Sequence, residues 1–143
     1  MFDKKRVDEA NRNVKNCLSE GLLKKVNHPD KNIMSVFKKN SEESLKVAQI
    51  LFDNNYSSLW VIVSAYYSMF YAANAVLYKF GYKVGGQMPH KVTADALIVF
   101  VREKLKGKLL EEFEDSMEEA LELAGVKTDE LMKSFDYERI KRN

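Results

Sequence analysis

The stretch SAYYSMFYAANAV, Ser64 to Val76, decides how this chain is read. It is aromatic, rich in small residues and uncharged, in a polypeptide of which 31% is charged. No formal charge falls between Asp53 and Lys79, a span long enough to cross a bilayer. Asn54, Asn55, Ser57, Ser58, Ser64, Ser68 and Asn74 interrupt that span. An inserted helix needs a more continuously apolar window. The stretch therefore reads as the central, most enclosed helix of a bundle, with no membrane association expected.

Outward from it, apolar spacing predicts helices on both sides. Val7, Ala10, Val14, Cys17, Leu18, Leu22 and Val26 share one helical face, and Phe37, Ser41, Ser44, Leu45, Ala48, Leu51 and Phe52 share another. Between them Asn27-His28-Pro29-Asp30 reads as a turn and helix start. The central helix is expected over 56–80, closed by Gly81 to Gly86. A fourth helix opens near Met88, with Ala94, Leu97, Ile98, Val101 and Leu105 on one face, and breaks at Gly107. A fifth carries Leu109, Leu110, Phe113, Met117, Ala120, Leu121 and Ala124 beneath an acidic face. Thr128 caps a sixth. No strand is expected. The fold class is all-α: an up-and-down bundle of about five to six helices with short loops, in a single domain over 1–143. The pattern is still helical at Lys141-Arg142-Asn143, without a glycine or proline stop, as expected where a native chain continues.

The 143 residues suffice for one core without metal or disulfide support. Cys17 is the single cysteine, and the N-terminal segment lacks the apolar run of a signal peptide, so a cytoplasmic location is expected. The net charge of +2 does not announce a nucleic-acid binder. Its distribution is uneven: residues 79–108 hold seven Lys/Arg and two acids, whereas 109–126 hold seven acids and no base. His28 and His90 are the only histidines and have no metal-ligand spacing, so neither a metal nor a cofactor is expected. Gly85-Gly86 is too short to cradle a phosphate alone, although Lys83, His90 and Lys91 would attract an anion. A helix N-terminus near His90, with Arg102 further along, makes Lys83, His90, Lys91 and Arg102 the candidate ligand-binding set.

Ser64 to Ala73, with Gly81 and Pro89-His90 following, resembles the HEPN family (higher eukaryotes and prokaryotes nucleotide-binding), whose central helix reads approximately R-A-Y-Y-A-x-F-H-A-A. The resemblance implies a homodimeric bundle of four to six helices. It also implies ties to RNA or nucleotides, in toxin-antitoxin pairs with a small nucleotidyltransferase protein. The family's catalytic pair is an arginine and a histidine on the central helix. Positions seven apart return to one face about 20° off and about 10.5 Å along the axis, a geometry suited to gripping one phosphate across a dimer axis. This sequence has Ser64 and Tyr71 at those two positions. Serine carries no charge, and a tyrosine of ordinary pKa near 10 is a poor base at neutral pH. The expectation is a non-catalytic module for binding or assembly, with Tyr66, Tyr67 and Tyr71 forming core and interface. The alternative is a metal-independent RNase reworked around His90 and Tyr71. His28-Pro29-Asp30 also resembles the signature of J-domain co-chaperones, a remoter alternative, since in that family a tyrosine-rich helix and a basic helix precede the signature, whereas only 27 residues without a tyrosine precede His28.

Overall fold

In a computed structural model, residues 3–104 and 107–123 are described. Helix α1 spans Lys4–Glu20 and strand β1 spans Leu23–Lys25. Helices α2 (Lys31–Asp53) and α3 (Ser58–Lys79) form a hairpin, followed by strand β2 (Tyr82–Val84). Helix α4 is Pro89–Phe100, a 3-10 turn covers Arg102–Lys104, and α5 is Gly107–Leu123. The five α-helices among the described residues make the all-α bundle that the sequence predicts. The expected sixth segment, from Thr128, lies outside the described residues.

Local chemistry sets the boundaries. Asp3 caps α1 by accepting from the Arg6 N–H at 2.7 Å, and Gly21, in the left-handed region at φ 77°, ends it. That stop is why Leu22 and Val26 do not continue the first helix. The chain turns extended instead, and β1 pairs antiparallel with β2 in the register Leu23↔Val84, Lys24↔Lys83, Lys25↔Tyr82. This two-stranded ribbon corrects the strand-free expectation. Three-residue strands are too short to show the period of two that marks a strand in sequence. Asp30 caps α2, its carboxylate accepting from the Asn32 N–H, while its own N–H donates to Tyr78 Oη at 2.7 Å. His28-Pro29-Asp30 is thus an exposed capping turn tied to α3. Gly107 opens α5 rather than ending the fourth helix, which gives way earlier, at Val101.

Helix α3 packs against α2, α4, α5 and β2. Its polar residues are satisfied where they are buried. Ser68 and Ser41 of α2 exchange hydrogen bonds, each hydroxyl donating to the other's carbonyl at 2.8 Å, and Asn74 Nδ2 donates to the Phe70 carbonyl and to Thr93 Oγ1. Small, reciprocally bonded serines let α2 and α3 approach closely. Helix α3 is long and apolar enough to cross a membrane, yet it occupies the position of a packed bundle helix. It is not the most enclosed one. Two thirds of the short α4 is buried, including every residue from Val92 to Ile98, because α1, α3 and α5 all pack on it. The longer α3 leaves Trp60, Val76 and Phe80 at its ends and outer side exposed or nearly so. Helix α5 buries Leu110, Phe113, Met117, Ala120 and Leu121 of the expected face, leaves Leu109 of that face exposed, and turns Glu112, Glu118, Glu119 and Glu122 to solvent; Ala124 lies outside the described residues. Burying each large side chain of that face contributes about 1.5–3 kcal/mol.

Candidate functional site

On α3, Ser64 and Tyr71 are both half-buried, on one helical face and two turns apart. Tyr71 opens onto a depression of about 290 Å³ lined with Asn40, Glu43, Ser44 and Val47 of α2. From Tyr71 a chain of rings runs inward. Tyr67 lies 6.2 Å from Tyr71, and Tyr67, Tyr66 and Phe70 surround the imidazole of His90 at centroid distances of 5.6, 5.5 and 4.7 Å. Tyr66 is 1% exposed and also packs on Phe113 of α5. The three tyrosines of the opening stretch therefore grade from core to surface: Tyr66 inside, Tyr67 half-buried, and Tyr71 on the α2 side.

His90 is 2% exposed, and its Nδ1 lies 2.7 Å from Tyr66 Oη. Burial pushes the imidazole down to about 4, and burial pushes the Tyr66 phenol far above its ordinary value. A phenol so shifted keeps its proton, and the two groups share one hydrogen bond whose donor is set by the imidazole tautomer. His90 is thus a neutral interior residue, bonded to a neighbour, rather than an acid-base group presented at a surface.

The other members of the expected ligand set do not converge on it. Lys83 is exposed on β2 and lines a groove of about 370 Å³ that His90, Lys91 and Arg102 do not touch. Lys91 is half-buried at the start of α4. Arg102 sits past that helix's other end, about 18 Å along the axis from His90 at 1.5 Å per residue. Among the described residues no cluster of three or more potential metal ligands occurs.

Two features had gone unnoticed in the sequence. The first is a buried charge. Asp95 of α4 is 1% exposed; its carboxylate lies 2.8 Å from Arg6 Nη1 and accepts from Asn13 Nδ2, and Arg6 also pairs with Glu114 of α5. Burial pushes the Asp95 carboxyl above its ordinary value, against the pull of Arg6 and Asn13. Burial and the Asp95 charge likewise raise the half-buried Cys17 thiol, which makes it a poor nucleophile. A lone acid in the apolar run VTADALIVF was the available signal. The second is a set of exposed apolar side chains on the α2–α3 hairpin. Leu45 and Phe52, which spacing assigns to the buried face, are exposed, Phe52 by 66%, and Val47, Ile50, Tyr56 and Trp60 join them. Phe52 and Tyr56 also line a recess of about 330 Å³ beside the hairpin turn, where Asn55 takes the left-handed conformation at φ 55°.

The model of the HEPN domain matches residues 34–130, more than half of the chain and nearly all of the α2–α5 assembly just described. The chain belongs to the HEPN domain family. No curated protein and no solved structure matches it. The matched region begins within α2, and α1 and β1 precede it. Those two elements supply Arg6, Asn13 and Leu23, through which they are tied to α4, α5 and β2 of the HEPN domain.

Proposed function

We propose that this HEPN domain is a non-catalytic module for binding or assembly, and that it works as a homodimer through the outer face of its α2–α3 hairpin. The observation that carries the reading is the exposed pair Val47 and Ile50, about one turn apart on the side of α2 where Val47 lines the Tyr71 depression, while Leu45 and Phe52 are exposed on another side of the same helix. Adjoining exposed apolar side chains such as Val47 and Ile50 mark a surface suited to interaction. Aromatic residues with a polar tip, here Tyr56, Trp60 and Tyr71, suit such a boundary.

The absence of chemistry follows from residue types. Ser64 and Tyr71 stand at the positions of the family's arginine and histidine, and neither supplies a guanidinium charge or an imidazole. His90, the nearest substitute, is buried and neutral. RNA or a nucleotide as ligand, and a small nucleotidyltransferase as protein partner in a toxin-antitoxin setting, are the family-level candidates for what the module holds. Two measurements test the reading. Light scattering at micromolar concentration is expected to give twice the chain mass, and a purely monomeric solution overturns the dimer. Incubation with structured RNA in EDTA is expected to leave the RNA intact; cleavage lost in Tyr71→Phe or His90→Asn establishes a metal-independent RNase instead.

A further inference from the structure

The ribbon places Lys24 directly opposite Lys83. Residues so paired across antiparallel strands project on the same face with Cβ atoms about 5 Å apart, and like charges there repel. Both lysines are exposed, and both line the groove of about 370 Å³ with Glu20, Gly21, Leu22 and the Val84–Gln87 loop. Among the described residues neither ammonium has an ion-pair partner. Glu20 is the one carboxylate on the lining and lies beyond pairing distance of both. Two unpaired cations in register on the lining of one groove give it a local positive field that favours an anion.

The loop opposite the lysines points the same way. Gly85 is favoured by packing, since a Cβ there would lie 3.2 Å from the Leu22 carbonyl oxygen, a tight contact. Gly86 is not: a Cβ would meet nothing within 4 Å, and its φ is not positive. Neither crowding nor backbone conformation calls for glycine at 86, but a bare backbone leaves room for a ligand to come close.

We propose that this groove binds a phosphate monoester, its dianionic group seated between Lys24 and Lys83 against the Gly85-Gly86 backbone. The charge selects the class. Two ammonium groups are neutralised by a monoester carrying close to two negative charges at pH 7, and only half neutralised by the single charge of a phosphodiester. The volume lies in the range of small-molecule sites. None of the lining residues belongs to α2 or α3, so the site is independent of the dimer face.

The test is a titration of the intact protein followed by backbone amide NMR, with phenyl phosphate as probe at constant ionic strength. Saturable shifts are expected at Leu22, Lys83, Gly85 and Gly86. Lys24→Met and Lys83→Met should each weaken binding at least about tenfold, since each removes one of two charge-assisted contacts. Glu20→Gln should tighten it. Gly86→Ala, which the fold accommodates, should weaken it without altering the thermal midpoint. Lys79→Met, a charge control outside the groove, should leave it unchanged. The proposal is overturned by shifts that do not saturate, by an equal loss in the Lys79 variant, or by a response to a single-stranded RNA lacking terminal phosphates in place of one to phenyl phosphate.

Discussion

Tyr66 Oη and His90 Nδ1 are hydrogen-bonded across 2.7 Å, in a box of rings that shuts both groups away from water. The bond joins α3 to the first turn of α4, so the residue at the start of the fourth helix is a core contact. The same box fixes the entry of the chain into α4, where Met88 takes the left-handed conformation at φ 51° and no side chain caps the helix.

A pH dependence follows from this pair. The unfolded chain takes up a proton on His90 near pH 6.5, whereas the folded protein resists it until about pH 4. Between those values the unfolded state binds more protons, so stability falls as pH falls through the window and is untouched by this group above it. The full effect is on the order of 3 kcal/mol. Carboxylates titrate near the lower end, so the quantity to measure is the difference in slope between wild type and His90→Asn. Urea unfolding from pH 7 to 4 should show a shallower decline in the variant, and parallel curves would contradict the buried, neutral histidine.

Asp95 offers a second prediction. Asp95→Ala leaves the Arg6 guanidinium with half of its partners and Asn13 with none, and loss of one member of a buried pair costs about 3–5 kcal/mol. Replacing both charges, as Arg6→Met with Asp95→Leu, should be less damaging than Asp95→Ala alone, because apolar side chains of similar size need no partner. A double-mutant cycle by chemical denaturation measures the coupling. Additive effects would mean that the ion pair contributes nothing beyond its separate residues.

The parts of this fold legible in the sequence are those where one face meets one core. Leu110, Phe113, Met117 and Leu121 repeat with the helical period and are buried as their spacing implies. Helix α2 shows where periodicity fails. Leu45 and Phe52 have the same spacing as buried residues, but spacing does not record whether a neighbour exists, and among the described residues none covers that side. The ribbon was invisible because three-residue strands lack a pattern and their pairing joins distant parts of the chain. Site positions were legible as residue types, but their placement was not. Pro89-His90 looks like an exposed helix start, and only the arrival of Tyr66, Tyr67 and Phe70 from α3 makes it interior.

Gly81 tests the ribbon's attachment to α3. Its φ of 95° belongs to the left-handed side that glycine alone adopts freely, and a Cβ would sit 3.3 Å from the Val26 carbonyl oxygen. Its own carbonyl accepts from the Val26 N–H at 2.7 Å. Gly81→Ala should therefore cost about 1–3 kcal/mol, read as a lower denaturation midpoint. An unchanged midpoint would show that the β1–β2 connection relaxes freely, and would weaken the case that Lys24 and Lys83 are held in register.

The outer face of the hairpin separates assembly from folding. Ile50 is 59% exposed and Val47 is also exposed, so charged replacements bury nothing unfavourable in the isolated subunit. Val47→Glu and Ile50→Lys should leave the stability of the monomer within about 0.5 kcal/mol of wild type, the usual range for surface changes. Across a two-fold axis the same substitutions place an unpaired charge in a desolvated apolar contact, where truncated or mismatched central residues cost about 2 kcal/mol or more, roughly thirtyfold in dissociation constant. Sedimentation equilibrium of each variant should show the shift to monomer. Mixing the Val47→Glu protein with the Ile50→Lys protein should restore part of the association, since the carboxylate introduced in one subunit then meets the ammonium introduced in the other across the seam. A shift that appears only with loss of helical signal would assign these residues to folding, and dimers that survive both substitutions would place the interface elsewhere.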